Sequence, residues 1–162
     1  MRIAVVSDTH LPRGSRVIPP ECLELMRASD LVLHGGDLST AAVLEELRAL
    51  GPPLAAVHGN IDSAELRRLL PERQVVDAGG VRIGLVHDAG PARGRLSRMR
   101  MAFPDCDAVV FGHSHIPLHE EDDGFQIFNP GSPTDRRRQP AHTMGLARVD
   151  DGRIEFELVT LD

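Results

Sequence analysis

"RIAVVSDTH", residues 2–10, is a short apolar run that stops on an aspartate and, two residues later, a histidine. A run of this kind reads as a buried strand, because a strand covered on both faces needs no polar alternation. Two further stretches repeat the design: "DLVLHGGD" at 30–37 ends on Asp37, and "LAAVHGN" at 54–60 ends on Asn60. Between them lies helical spacing, clearest over 39–50. There Val43, Leu44, Leu47 and Leu50 form one face, Ser39 or Thr40 can cap the start, and Gly51-Pro52-Pro53 ends it. Strands alternating with helices build a parallel sheet with right-handed crossovers. On such sheets ligands collect beyond the carboxyl ends of the strands, which is where Asp8, His10, Asp37 and Asn60 fall.

The second half changes character. "QVVDAGGVRIGLVH" (74–87), "LHEEDDGFQIFN" (118–129) and "LARVDDGRIEFELVTL" (146–161) each place Gly-Gly or Asp-Gly between alternating segments, a hairpin signal. Ile154, Phe156 and Leu158 alternate with Glu155 and Glu157, marking one buried and one wet face. An α/β half is thus expected to meet an antiparallel half. "AVVFGHSH" at 108–115 adds a strand ending in two histidines; side chains at i and i+2 share a face, so His113 and His115 are expected to leave it toward one point.

The length of 162 residues suits one domain, 1–162, and no repeat or low-complexity linker divides it. Hydrophobic residues at 41% and charged residues at 26% are the balance of a globular chain, and no apolar run approaches a membrane span. The amino terminus lacks a secretory h-region, and two isolated cysteines, Cys22 and Cys106, make neither a disulfide framework nor a thiolate zinc site. A reduced, cytoplasmic setting is expected. A net charge of −6 disfavours binding to nucleic-acid phosphates, and five Phe with no Trp or Tyr give little for base stacking. The basic stretches "DRRRQP" (135–140) and Arg93, Arg95, Arg98 and Arg100 read as solvated faces.

Taken singly, the polar residues at strand ends have ordinary explanations: Asp8 can cap a turn, Asn60 can follow Gly59 in a left-handed conformation, and His87 can be a satisfied half-buried histidine. The joint pattern is harder to obtain by accident. D-x-H, then G-D, G-N, a strand-terminal His and G-H-x-H follow one another in order, each at a strand end.

In "SDTH" (7–10), "GGD" (35–37), "GN" (59–60), "VH" (86–87) and "GHSH" (112–115) the chain resembles the calcineurin-like metallophosphoesterase superfamily. "NPGSP" at 129–133 is similar to a segment of its small bacterial and archaeal phosphodiesterase branch. The resemblance implies an α/β fold of two packed mixed β-sheets flanked by helices, a four-layer αββα sandwich. It also implies two divalent metal ions per chain, manganese first, with Fe, Ni, Co or Zn as alternatives for an all-N/O donor set. Asp8, His10, Asp37 and His115 would hold one ion, and Asp37, Asn60, His87 and His113 the other, with Asp37 bridging.

The implied chemistry is hydrolysis of a phosphate ester by in-line attack of a hydroxide held between the ions, with no nucleophilic side chain. A formal count then favours a diester. Two divalent ions less Asp8, Asp37 and the hydroxide leave a single positive charge, which a phosphodiester monoanion neutralises. A small phosphodiester is therefore the expected partner, and self-association as a homo-oligomer is open. The rival readings are a phosphatase for monoesters or phosphoproteins and a protein-binding scaffold of the same fold, as in the retromer subunit.

Two positions depart from the pattern. Relatives often read G-N-H-[DE], whereas this chain has Ile61 where a proton-donating histidine would stand. "DSAE" at 62–65 has capping-box spacing, so Asp62 is expected to start a helix. After His87, Asp88 is either an acceptor for an imidazole N–H or a loop residue. His34 and His58 match no ligand position and read as structural.

Overall fold

The computed structural model describes residues 1–161. β1 (Arg2–Val6), β2 (Leu31–His34) and β3 (Leu54–Ala56) pair in parallel, joined through α1 (Pro20–Arg27) and α2 (Ala41–Arg48), and α3 (Ala64–Leu69) follows β3. β4 (Arg73–Ala78) and β5 (Val81–Val86) form the first hairpin, and α4 (Arg95–Ala102) leads to β6 (Ala108–Val110). The other hairpins are β7 (Leu118–Asp122) with β8 (Phe125–Asn129) and β9 (Thr143–Asp150) with β10 (Arg153–Thr160).

The strands assemble into two five-stranded sheets, ordered β10-β9-β1-β2-β3 and β4-β5-β6-β8-β7. The expected division into an α/β half and an antiparallel half is therefore corrected. β9 pairs antiparallel with β1, which attaches the last hairpin to the first sheet, while β5, β6 and β8 are parallel neighbours in the second. The first sheet is mixed because it takes strands from both halves of the chain, and the second because hairpins add β4 and β7 antiparallel to the parallel strands β5, β6 and β8.

Strand alternation builds the layers. Ile3, Val5 and Leu33 of the first sheet meet Ile83, Leu85, Val110 and Phe128 of the second in a core between the sheets. The intervening residues Ala4, Val6 and Val32 turn outward onto Cys22, Met26, Val43, Leu44, Leu47 and Leu66. On the far side, Val109, Phe111 and Ile127 pack on Met99 of α4 and on Phe103 at its carboxyl end. Helices, sheet, sheet and helix make the expected αββα sandwich. Burying apolar surface on both faces of each sheet, at roughly 25 cal/mol per Å², is its main stabilisation.

Three local expectations change. The helix read over 39–50 occupies Ala41–Arg48, and Thr40 at its N-cap makes no side-chain hydrogen bond to it. Leu158 is 45% exposed although Ile154 is buried, because the last strand lies at the edge of its sheet. The basic stretch on α4 is not simply solvated: Arg95 and Arg98 donate to the carbonyls of Gly90, Ala89 and Pro91, stapling the loop after β5. Among the described residues no helix is long and apolar enough to cross a membrane.

Candidate metal centre

All seven side chains come together at one end of the two sheets. His10, His115 and Asp8 form a first cluster: Asp8 Oδ1 lies 3.7 Å from His10 Nε2 and 3.4 Å from His115 Nε2, and the two rings are 4.9 Å apart. His87, His113 and Asn60 form a second. Asn60 Oδ1 is 3.1 Å from His87 Nε2 and 3.0 Å from His113 Nδ1, with ring centroids 5.2 Å apart. Asp37 stands between them, its Oδ2 3.5 Å from His10 Nε2 and 3.2 Å from His87 Nε2. Asp8 Oδ1 also reaches to 4.0 Å from His87 Nε2, so the two carboxylates share the space between the clusters.

The backbone that achieves this is unusual. Asp8, His10, Asp37, His113 and His115 all have φ between 47° and 68°, the left-handed region where a side chain costs about 1–3 kcal/mol. This corrects the expectation for "FGHSH". β6 ends at Val110, so strand alternation does not govern His113 and His115. Two left-handed residues turn the chain there, and the rings go to different clusters.

Hydrogen bonds hold the strained loops. His113 N donates to Asp8 Oδ2 at 3.0 Å, His10 N to the Asp37 carbonyl at 3.0 Å, and Asp8 N to the Gly36 carbonyl at 2.9 Å. Ser132 Oγ and Thr134 Oγ1 donate to the carbonyls of Asp8 and Thr9. Asn129 Nδ2 donates to the Gly112 carbonyl, so "NPGSP" is the floor beneath the site. Close approach demands glycine at Gly112, where a Cβ would lie 1.9 Å from Ser7 Oγ, and at Gly59, where it would lie 2.0 Å from Asp37 Oδ1.

Carbonyls also fix which imidazole nitrogen faces inward. His87 Nδ1 donates to Gly35 O at 2.7 Å and His115 Nδ1 to Asp135 O at 2.5 Å, leaving each Nε2 directed at the carboxylates. Asp135, held by Arg16 at 2.9 Å, is a supporting residue that sequence reasoning placed only in a basic stretch. Gly35 takes the role considered for Asp88, whose Oδ1 instead accepts from Gly90 N within its own loop. His34 is buried, accepts from Gly36 N at Nδ1 and thus donates to Thr9 Oγ1 through Nε2.

Asp62 corrects the capping expectation. Ser63 occupies the N-cap of α3, its Oγ accepting from Leu66 N. The carboxylate of Asp62 turns inward instead and accepts three backbone N–H bonds, from Asp37, Ser39 and Gly59.

Electrostatics follow from burial and pairing. Burial pushes the Asp37 carboxyl up, but the hydrogen bond and charge of His87 with the Ile61 N–H outweigh it and hold the group below its usual range. Burial pushes His87 down, yet its bond to Asp37 and the charges of Asp8 and Asp37 leave it raised. For His115 burial prevails over Asp8, and the ring is held low.

The donor set fits divalent ions. His10 Nε2 and His115 Nε2 are buried with no hydrogen-bond partner, although carboxylate oxygens stand 3.4–3.7 Å away. Such orphaned acceptors are costly in a folded protein. Ligands about 2.1 Å from a shared ion sit roughly 3.0–3.4 Å apart, close to the spacings here. Two three-residue groups could each hold an ion: Asp8, His10 and His115, and Asp8, Asp37 and His87. No cysteine contributes; Cys22 and Cys106 are free. Burial is uneven: Asp8, His10, Asp37, His87 and His115 are buried, whereas Asn60 and His113 are exposed, so the second cluster forms the mouth.

A two-sheet sandwich carrying paired Asp/His clusters at its strand ends defines a metallophosphoesterase-type architecture. The pattern of the calcineurin-like phosphoesterase superfamily domain matches residues 1–152, and the chain belongs to that superfamily. It is 32% identical to a probable metallophosphoesterase of Methanothermobacter thermautotrophicus, over 98% of this chain and 92% of that one. Among solved structures it is similar to wild-type Vps29 complexed with zinc from Entamoeba histolytica, at 26% identity and a TM-score of 0.78, covering all of both chains. An archaeal phosphodiesterase shares the fold at 22% identity and a TM-score of 0.74, over 98% of this chain and all of that one.

Proposed function

We propose that the protein is a phosphodiesterase using two divalent metal ions. The observation that carries this is the placement of Asp37 Oδ2 between two imidazole clusters, within 3.5 Å of both His10 Nε2 and His87 Nε2. Asp8, His10, Asp37 and His115 are assigned to one ion and Asp37, Asn60, His87 and His113 to the other, manganese being the first candidate. When bound, such a pair supplies Lewis acidity and an activated water for in-line displacement at phosphorus.

The chain's own residues do the rest. The carbonyls of Gly35 and Asp135 keep the protons of His87 and His115 on Nδ1, so that each Nε2 presents a lone pair inward. Asp8 and Asp37, together with the attacking hydroxide, would set three negative charges against the four of two divalent ions, and the single surplus positive charge favours a monoanionic ester over a dianion. Substrate enters over Asn60 and His113, beside Ile61 and Ile116, which are 44% and 50% exposed. Ile61 cannot move a proton, so leaving groups that depart without one are favoured. A residue whose ring or hydroxyl could attack phosphorus is not required.

The test is hydrolysis of a panel of diesters and monoesters by metal-stripped protein with each divalent ion added back. Diester cleavage restored by one or more ions is expected. A monoester cleaved far better than any diester makes the protein a phosphomonoesterase, and no hydrolysis with any ion makes it a binding scaffold.

A further inference from the structure

Asp62 is buried to 5% exposure and belongs to neither donor cluster. Its Oδ2 accepts from Asp37 N at 3.1 Å and Gly59 N at 2.7 Å, and its Oδ1 from Ser39 N at 2.6 Å. Asp37 and Ser39 follow β2, whereas Gly59 follows β3, so one carboxylate joins two ligand-bearing loops. The grip is reciprocal, because Ile61 N donates to Asp37 Oδ1 at 3.0 Å. Asp37 is thus held at its amide and at one oxygen, which leaves Oδ2 as the oxygen facing His10 and His87.

The backbone explains why such a device is needed. Asp37 and Ser39 have φ of 60° and 95°, and non-glycine residues persist there only where their surroundings fix them. Asp62 bonds to the amides of those two residues. From the other side, Arg67 Nε donates to the Asp62 carbonyl at 3.0 Å and Nη2 to the Asn60 carbonyl at 2.5 Å, fixing the loop that carries Asn60.

We infer that Asp62 is a positioning residue that sets Asp37 Oδ2 between the clusters and Asn60 in the second, and so governs affinity for the ion held by the second cluster more than for the other. The inference rests on the proposed two-ion centre. The first cluster keeps Asp8, His10 and His115: the Asp8 loop also bonds to the Gly36 and Asp37 carbonyls, but it and His115 retain Ser132, Thr134 and the Asp135 carbonyl as supports that do not touch Asp62. The two clusters therefore respond differently to its loss.

The experiment is calorimetric titration of metal-stripped wild-type, Asp62→Asn and Asp62→Ala protein with Mn²⁺ alone, with bound ions counted by mass spectrometry. Wild type binds two ions; fewer than two refutes the two-ion reading itself. Given two, the variants are expected to lose about 10–100-fold in affinity for one ion while holding the other nearly unchanged. The Asn variant, which keeps one acceptor oxygen, falls between wild type and Ala. Should the Ala variant fail to fold, the Asn variant carries the test. Two ions held at wild-type affinity in a folded variant, or equal loss at both sites, overturns the inference and leaves Asp62 a general stabiliser of the fold.

Discussion

The two ends of this sandwich use the same backbone conformation for opposite purposes. At the hairpin tips, Gly79, Gly80, Asp123, Gly124, Asp151 and Gly152 take φ between 46° and 88°, and glycine or aspartate does so at little cost. At the metal end, Asp8, His10, Asp37, His113 and His115 take φ between 47° and 68° with no glycine among them. Residue type at the tips is chosen for the turn. At the other end it is chosen for the donor atom, and buried hydrogen bonds accepted by Asp62 and donated by Ser132 and Thr134 compensate the strain.

If that contrast is right, changes at the metal end should cost function beyond their cost in stability. The largest effect is expected for Asp37→Asn, which removes charge from the carboxylate between the clusters. Diester hydrolysis at saturating metal should fall by at least about 1000-fold, beyond the 10–100-fold that loss of a ligand's supporting partner commonly produces. Circular dichroism and denaturant melting should show a folded protein.

Acid should separate the two ends next. Burial holds His34 at about 4 in the folded protein, whereas an unfolded histidine titrates near 6.5. Between those values the unfolded chain binds a proton that the folded chain does not, so stability falls as pH drops, by about 3 kcal/mol across the window. Urea unfolding of metal-free protein at stepped pH measures this slope, and His34→Gln should flatten it. Activity should decline in the same direction below about pH 6.5, because protonated imidazoles do not hold metal.

A glycine pair gives the finest comparison. Gly59→Ala places a methyl carbon 2.0 Å from Asp37 Oδ1, and should lower metal-dependent activity roughly 10–100-fold by displacing that carboxylate. Gly152→Ala meets no atom within 4 Å but takes a φ of 71°, and should cost about 1 kcal/mol in stability with kcat unchanged. Steady-state kinetics beside chemical denaturation of both variants separates the two outcomes.

The same division governs what could be seen in the sequence. The apolar runs of β1, β2, β3 and β6 and the Gly-Gly and Asp-Gly turns were legible because periodicity and turn chemistry are local. Sheet membership was not, since the pairing of β9 with β1 depends on contacts more than a hundred residues apart in the chain. The seven polar side chains that converge at the metal end stood out through their order at strand ends. Their supporting residues did not: Asp62 looked like a helix cap because a carboxylate before a helix usually is one, and Asp135 acts through its carbonyl, which no side-chain pattern reports. Strand alternation alone put His113 and His115 on one face; the resemblance already sent them to different ions, and the left-handed turns after Val110 are the local geometry that parts them.

The most direct test of the central claim is the electron paramagnetic resonance spectrum of metal-stripped protein loaded with two equivalents of Mn²⁺. An exchange-coupled signal from two adjacent ions is expected, replaced in Asp37→Asn by the spectrum of isolated ions. An isolated-ion spectrum in the wild-type protein at full loading would contradict a shared centre built on Asp37.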